Sequence, residues 1–451
     1  MGEWHVPVEW LERFLRLEAS EEEVRQVARH LAAGCPECTD LAYRIAADVG
    51  LSRSAEDGRD AWERAYEEVF ARAFAFANED ERRRALEKLR GWGRWASLEP
   101  VPPPARLAVV AADPRYHTLG FHERLLEAAR QASRSEPAEA ADIVRLALVV
   151  AERLEPAVVG GKKRLADLKA ASWAALGNAL RIADDFEGAR QAFNEAWPFL
   201  KDGSGSPTEE IRLISLEASY LKDVGDFELA EAALAEALQI ARRTGNSREQ
   251  GHILFQMGEV AGHAHPERGI AHLRKALALI DGRREPRLEL YALHDLAIFL
   301  CENRQPEEAL TILEHARPLY QQFQDEVTHL WLHWLEAKIA HRFGEHAEAE
   351  SIFAQLWEEY RARGLYQEVV LITIELAQVL VEKGEQERAA RLAAESFTIM
   401  RSWGLHKDAL SAWLVFQEAL ALGPAPDDLF DRIGKYYRRH WVKPGEFGAG
   451  D

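Results

Sequence analysis

Cysteine is scarce in this sequence. Its three cysteines among 451 residues, Cys35, Cys38 and Cys301, are too few for a disulfide framework, which fits a reducing compartment. No stretch approaches the roughly 18 uninterrupted apolar residues of a membrane span, and the first residues lack the basic and apolar segments of a signal peptide. We therefore expect a soluble cytoplasmic protein that does not engage a membrane.

Clusters of lysine and arginine are missing as well. Acidic side chains outnumber basic ones by 75 to 56, which gives a formal net charge of −19. A protein that binds nucleic acid needs a basic surface to contact the phosphates. Nucleic acid is therefore not expected as a direct partner, and the acidity mainly favours solubility.

Motifs of catalytic chemistry are missing too. The sequence has no nucleophile-elbow serine and no His-Glu-x-x-His pair, and no two carboxylates stand out from the many surface acids. The stretch PAVVGGKKR contains a glycine-lysine pair, but no glycine lies five residues before Gly161 and no serine or threonine follows Lys162. It is therefore not a phosphate-binding loop. We expect a protein that is not an enzyme.

What the sequence does contain is a period of about 40 residues from residue 166 onward. A small residue recurs at spacings of 41, 40, 39, 40 and 40, and a second small residue follows each one at a distance of twelve, or eleven in the third unit. The first set is Gly177, Ala218, Gly258, Ala297, Ala337 and Ala377, and the second is Ala189, Ala230, Gly269, Ala309, Ala349 and Ala389. Apolar residues at helical spacing on both sides of a short turn predict two closely packed helices in each unit.

This pattern resembles the tetratricopeptide repeat, which pairs a small residue in its first helix with an alanine in its second. The matching residues are Trp173, Leu176, Gly177, Leu180, Phe186, Ala189, Phe193 and Ala196 in the first unit, and Ala297, Leu300, Ala309, Leu313 and Ala316 in the fourth. The resemblance implies an all-α fold, a tetratricopeptide-like α-solenoid in which helical hairpins form a right-handed superhelix. Units of that family are commonly about 34 residues long, so somewhat longer helices are expected here.

The remaining sequence flanks this array. We predict a small helical N-terminal module at residues 1–99, a linker and an atypical first hairpin at 100–165, six repeats at 166–400, and capping helices with a tail at 401–451. The proline run EPVPPPAR favours a linker, because consecutive prolines cannot continue a helix. The C-terminal helices are expected to cover the apolar face that a terminal repeat leaves exposed.

One cluster of potential metal ligands lies in the N-terminal module. His30 is near the end of a predicted helix, and Cys35 and Cys38 form a Cys-x-x-Cys pair just after it. Thiolate and imidazole are preferred ligands of zinc. The stretch resembles the zinc-binding anti-sigma factors, although four residues instead of three separate His30 from Cys35. The resemblance implies a metal site of His5, His30, Cys35 and Cys38 that holds one structural zinc ion.

Two other interpretations of this cluster stay open. Both thiols can pack under the next helix without a metal, since free cysteine is often buried. A Cys-x-x-Cys pair can also be redox-active, but no strand of a thioredoxin-like fold is predicted before it.

In the tetratricopeptide family, the first helices of the units line a concave face that binds peptides or partner helices. Positions −6, −3, +1 and +4 from the small residue share one side of such a helix at about 100° per residue. In the third to fifth units this side is rich in aromatic residues and histidine. The predicted partner-binding residues are His252, Phe255, Tyr291, His294, Trp331, Trp334, Lys338 and His341. The alternative is that Trp331 and Trp334 pack against their own second helices or against the N-terminal module.

These observations favour an interaction scaffold with a regulatory role, which binds a protein or peptide on its concave face. The alternative function is an anti-sigma type of transcriptional regulator that sequesters a sigma factor through residues 1 to about 90. A scaffold that self-associates through its ends is a third interpretation.

Overall fold

The chain is all-helical throughout the residues that the computed structural model describes. These are residues 5–15, 79–133, 136–323, 325–402, 407–422 and 428–440, with seven single residues between 23 and 45. They contain helices and no β-strand, which confirms the predicted fold class. None of the described helices is long and apolar enough to span a lipid bilayer.

The chain divides into two compact units, residues 1–206 and 207–451. The N-terminal unit contains α1 (Val8–Leu15), α2 (Glu79–Leu98), α3 (Pro103–Ala112), α4 (Leu119–Ala132), α5 (Pro137–Arg153), α6 (Pro156–Val159), α7 (Lys162–Ile182) and α8 (Phe186–Lys201). In it, α4 packs against α2 and α5, and α7 packs against α5 and α8. The hairpins α4/α5 and α7/α8 therefore follow the predicted helix-turn-helix pattern.

The proline run after residue 99 is a packed corner where the sequence favoured a linker. Helix α3 begins at Pro103, because the first turn of a helix needs no amide hydrogen from proline. Arg106 is buried and donates to the carbonyl oxygens of Glu99 and Val101 at 3.0 and 2.9 Å. Its guanidinium also lies 3.2 Å from the carboxylate of Glu139 on α5. These contacts hold the corner against the first hairpin.

The C-terminal unit is built from successive helical hairpins. They are α9 (Pro207–Asp223) with α10 (Phe227–Arg243), α11 (Ser247–Gly262) with α12 (Pro266–Leu277), α13 (Pro286–Glu302) with α14 (Pro306–Gln322), α15 (Glu326–Arg342) with α16 (His346–Arg363), α17 (Tyr366–Glu382) with α18 (Gln386–Ser402), and α19 (Lys407–Leu422) with α20 (Leu429–His440). The hairpins from α7/α8 to α17/α18 contain the twelve small residues of the sequence repeat.

These small residues lie where the two helices of a hairpin cross, and all twelve are buried. The crossing is tightest between α11 and α12, where both small residues are glycine. A Cβ atom on Gly269 would lie 2.6 Å from the Cα atom of Gly262 and 3.1 Å from the carbonyl oxygen of Gly258. Since backbone approaches backbone here, no side chain fits between the helices.

The turn within a hairpin ends the first helix in the same way in most units. One residue adopts a positive φ, and the next amide donates to a carbonyl oxygen five residues before it, which closes the helix end. The residues with positive φ are Asp184, Gly225, Arg304, Gly344 and Gly384. The five hydrogen bonds have lengths of 2.8 to 2.9 Å. The recurring turn explains the constant distance between the paired small residues.

The last helix departs from the hairpin pattern. Helix α20 packs against α17 as well as against α19, and its Tyr436 and Tyr437 are fully buried. Arg438, near its end, reaches the carboxylate of Glu302 on α13 at 3.4 Å. Because α13 and α17 are both first helices, α20 lies on the side of the unit that the first helices line.

We expect Gly269→Ala to destabilise the protein, although alanine favours helix over glycine by about 1 kcal/mol. The added methyl group must separate α11 and α12, and overpacking of this kind costs about 1–3 kcal/mol. Urea unfolding followed by circular dichroism measures the change. The matched control is Gly434→Ala in α20, where the nearest atom is 3.7 Å from the new Cβ. Equal stability of both variants would contradict the backbone contact.

Candidate partner-binding face

The first helices of the C-terminal unit form a continuous wall. Helix α11 contacts α9 and α13, and α13 contacts α15. Each second helix lies between two first helices along the chain and packs against both. We call the surface formed by α9, α11, α13, α15 and α17 the inner face. All predicted partner-binding residues lie on three of these helices.

Three rings of the predicted set meet between α13 and α15. The indole of Trp331 stacks on the imidazole of His294 with centroids 5.7 Å apart and an interplanar angle of 27°. It meets the ring of Tyr291 edge-on at 5.5 Å. All three side chains keep part of their surface exposed. We call Tyr291, His294 and Trp331 the aromatic patch.

His294 anchors the patch as a neutral ring. Its Nδ1 atom shares a hydrogen bond of 2.7 Å with the hydroxyl of Tyr320 on α14. Burial lowers the pKa of His294 to about 4, so the imidazole carries no charge at neutral pH. The patch therefore presents fixed aromatic surface and no cation at this position.

Two further residues of the predicted set, one aromatic and one histidine, lie on α11, a first helix that packs against α13. Phe255 is partly buried and packs against the core of the α13/α14 hairpin. His252 is about one-third exposed, and its Nε2 atom lies 2.8 Å from a carboxylate oxygen of Glu285, which also accepts from Arg248 at 2.7 Å. The edge of the patch is therefore polar and the centre is aromatic.

Trp334 has a different role from Trp331. Its ring packs edge-on against Tyr360 of α16, with centroids 6.1 Å apart, so it contacts its own second helix. Its buried indole nitrogen has no hydrogen-bond partner among the described residues. The packing alternative considered for the two tryptophans thus describes Trp334, whereas Trp331 faces the preceding hairpin.

Lys338 is the centre of a buried charge cluster at the other end of the inner face. Its ammonium lies 2.6 Å from the carboxylate of Glu375 and 3.5 Å from that of Glu302, and Arg438 also pairs with Glu302. Burial lowers the pKa of Lys338, but the two carboxylates outweigh it and raise the pKa overall. Burial raises the pKa of Glu375, and Lys338 outweighs it and lowers the pKa. Both groups therefore stay ionised.

His341 is also buried and lies 2.8 Å from a carboxylate oxygen of Glu382 on the next first helix. Like Lys338, it is already paired, so these two predicted residues offer little surface to a partner. The inner face consequently has a partly exposed aromatic end and a closed, charged end.

Sequence reasoning missed the acidic residues of this face. Asp295 and Glu375 lie two residues before the small residue of their helices, and Glu302 and Glu382 lie five residues after it, outside the positions that we considered. Burial and the nearby carboxylates of Glu259 and Glu302 hold the pKa of Asp295 well above its ordinary value. These acidic residues recur at equivalent positions of the repeats, and this recurrence is the sequence pattern that could have identified them.

The N-terminal unit brings three of the four predicted metal ligands together. One potential ligand atom from each of His5, His30 and Cys38 lies within 4.8 Å of the others. The Sγ atom of Cys38 is 3.5 Å from Nδ1 of His5, and the two imidazole rings are nearly perpendicular. Cys35 lies outside the described residues, so its predicted place in this set is untested.

We expect Lys338→Met to destabilise the protein by about 3–5 kcal/mol near neutral pH, because it leaves the buried carboxylate of Glu375 without its paired cation and Glu302 with Arg438 alone. In the wild type, the pKa of Glu375 is lowered from 4.5, so its ionised form stabilises the folded protein at pH values above 4.5. This stabilisation is lost as the pH falls through the lowered pKa of the folded state. The difference between the two proteins should therefore shrink on acidification.

Urea titrations at neutral pH and near the pKa of an ordinary carboxyl test this expectation. The matched control is Lys383→Met, since Lys383 pairs with Glu350 and Glu385 at the exposed surface. It should have a much smaller effect at both pH values. A pH-independent loss in Lys338→Met would contradict the charge cluster.

Comparison with known proteins shows the fold. No protein-family model matches the sequence, and no curated protein is detectably similar. A Rap protein complexed with Competence and Sporulation Factor has 16% identity and a TM-score of 0.53, over 69% of this chain and 84% of its own. The apo form of RapI has 13% identity and a TM-score of 0.51, and the match covers 77% of this chain and 95% of RapI. Aspartyl phosphate phosphatase F from Bacillus subtilis has 13% identity and a TM-score of 0.50, and the match covers 94% of this chain and 96% of the phosphatase. The chain therefore shares a tetratricopeptide-like helical-repeat fold with these proteins.

Proposed function

We propose that this protein is a non-enzymatic regulatory scaffold that binds an extended peptide, or an extended segment of a protein, across the aromatic patch. The observation that carries the proposal is the stack of Trp331 on His294, with Tyr291 beside it, partly exposed on two neighbouring first helices. Partly exposed aromatic residues on a rigid support are typical of binding hot spots. The fixed rings lose little conformational freedom when a partner binds.

The polar edge of the patch supports an extended ligand. Arg287 on α13 lies over the ring of Phe323 at 4.2 Å and pairs with Asp325 at 2.9 Å, next to Tyr291. Together with Glu285, these groups supply donors and acceptors beside an aromatic surface. A peptide main chain needs both, because its amides and carbonyls lose water on binding.

The charged end of the inner face restricts where such a ligand lies. Positions −6 and +4 of one helix are about 15 Å apart along its axis. Lys338 and His341 are buried at the +1 and +4 positions, and Arg438 of α20 covers that end. The ligand is therefore expected at the ends of the first helices that contain Tyr291 and Trp331.

The structurally similar proteins support a role in binding a partner, whereas the absence of enzymatic activity in this protein stays a proposal. One Rap protein forms a complex with Competence and Sporulation Factor, and another relative in fold is named as an aspartyl phosphate phosphatase. At 13 to 16% identity the likeness concerns the fold. The non-enzymatic role proposed here rests on the missing catalytic motifs, and the cytoplasmic location and self-association stay predictions.

A displayed library of random peptides, selected on the full-length protein, tests the patch. We expect Trp331→Ala to weaken selected peptides by about 2 kcal/mol or more, which is roughly a 30-fold loss in affinity. Fluorescence anisotropy measures the change. The matched control is Phe343→Ala, since Phe343 is an exposed aromatic residue beyond the other end of α15. Peptides that bind both variants equally well would refute the aromatic patch as the binding site.

A second candidate function rests on the N-terminal cluster. We propose that His5, His30, Cys35 and Cys38 hold one structural zinc ion in a module of the anti-sigma type, which would sequester a sigma factor. The thiolate and imidazole donors already gathered from His5, His30 and Cys38 fit zinc. Four protein ligands would close the coordination sphere, so the ion would stabilise the module and leave no open position for chemistry.

Cobalt substitution tests this metal site. Co²⁺ bound by the N-terminal set should show a thiolate charge-transfer absorption, and both His5→Ala and Cys38→Ser should weaken binding at least tenfold. The exposed His329→Ala is the control and should leave the absorption unchanged. A wild-type protein that shows no thiolate band would contradict the zinc site. Co-expression with sigma factors then tests sequestration, which the same substitutions should abolish.

A further inference from the structure

A second group of potential metal ligands lies in the C-terminal unit, away from the aromatic patch. His341 is in the last turn of α15, and His346 is the first residue of α16 across the tight turn that contains Gly344. Glu382 is the last residue of α17, in the next hairpin. The fold therefore brings two imidazoles from one turn to a carboxylate from the neighbouring unit.

The three side chains converge on one oxygen. The Oε2 atom of Glu382 lies 2.8 Å from Nε2 of His341 and 3.5 Å from Nδ1 of His346. One ligand atom from each residue lies within 4.8 Å of the others. Zinc binds nitrogen and oxygen at about 2.0–2.2 Å, so ligand atoms on one ion are at most about 4.4 Å apart. Small side-chain rotations are enough to bring all three atoms onto one ion.

His346 supplies an independent reason to expect a ligand. Its Nδ1 atom is shielded from solvent and has no hydrogen-bond partner among the described residues, although the carboxylate of Glu382 is nearby. A shielded polar atom without a partner is costly and calls for an explanation. An ion bound between the two imidazoles and the carboxylate would satisfy this nitrogen.

The surroundings of Glu382 leave its Oε2 atom open to a cation. The other carboxylate oxygen, Oε1, accepts a hydrogen bond of 3.0 Å from Nε2 of Gln378, which orients the group. The adjacent Lys383 points elsewhere and pairs with Glu350 and Glu385. Among the described residues, the ion-pair partners of Glu382 are the two histidines alone. No lysine or arginine of this set therefore competes with a metal ion.

From this geometry we infer that His341, His346 and Glu382 form a binding site for a divalent transition-metal ion of the zinc class. Two imidazoles and one carboxylate suit Zn²⁺ and its neighbours better than Mg²⁺ or Ca²⁺, which prefer oxygen ligands alone. The ion would join the turn between α15 and α16 to the end of α17. Gln378 would hold the carboxylate from the outer shell, as partners of metal ligands commonly do.

The site is tested by Co²⁺ titration of full-length protein freed of metal, in a Cys35→Ser/Cys38→Ser background that removes the thiolates of the N-terminal set. We expect one saturable site whose visible spectrum lacks a thiolate charge-transfer absorption. His346→Ala and Glu382→Gln should each weaken binding at least tenfold. Gln378→Ala should weaken it by roughly tenfold, as loss of an outer-shell partner does.

The control is His333→Ala, an exposed histidine on the same helix as His341, which should bind Co²⁺ as tightly as the background. Titration of the wild type separates the two sites without the cysteine substitutions, because the thiolate absorption reports the N-terminal set alone. Unchanged Co²⁺ affinity in both His346→Ala and Glu382→Gln would overturn the inference. Absence of saturable binding in the Cys35→Ser/Cys38→Ser background would overturn it as well.

Discussion

The close crossing of two helices within each hairpin is the contact on which the other features of this molecule rest. A small residue on each helix lets the backbones approach, and between α11 and α12 glycine meets glycine with no room for a methyl group. Hairpins made in this way can stack with their first helices side by side. That stacking places Tyr291 and His294 beside Trp331, although they lie 40 and 37 positions before it in the chain.

The inner face combines two surfaces with different physical requirements. Aromatic rings can remain partly exposed at little cost, and they gain from covering by a ligand. Charges cannot be buried without partners, so Lys338 is enclosed by Glu375 and Glu302, and Arg438 from the last helix completes the cluster. A single row of helices thus has one end suited to recognition and another devoted to holding the hairpins and α20 together.

The all-helical repeat fold was predictable, because the helical period and the recurring small residues are local properties of the chain. The same local rules failed at the proline run before α3, where Arg106 and its carbonyl acceptors turn an apparent linker into a packed corner. They also failed to separate Trp331 from Trp334. Both residues lie at positions that we assigned to the inner face, and the difference arises from Tyr360, which belongs to another helix.

Local sequence was therefore sufficient to predict an all-helical repeat fold and to propose which side chains of the first helices face inward. It could not establish which of those side chains are already paired. Lys338 and His341 have partners 36 to 41 residues away. Glu302 also pairs with Arg438 near the end of the chain, and Glu382 meets two histidines from the preceding hairpin. Such pairings depend on distances between hairpins, which exist only once the units have stacked and α20 has packed against the inner face.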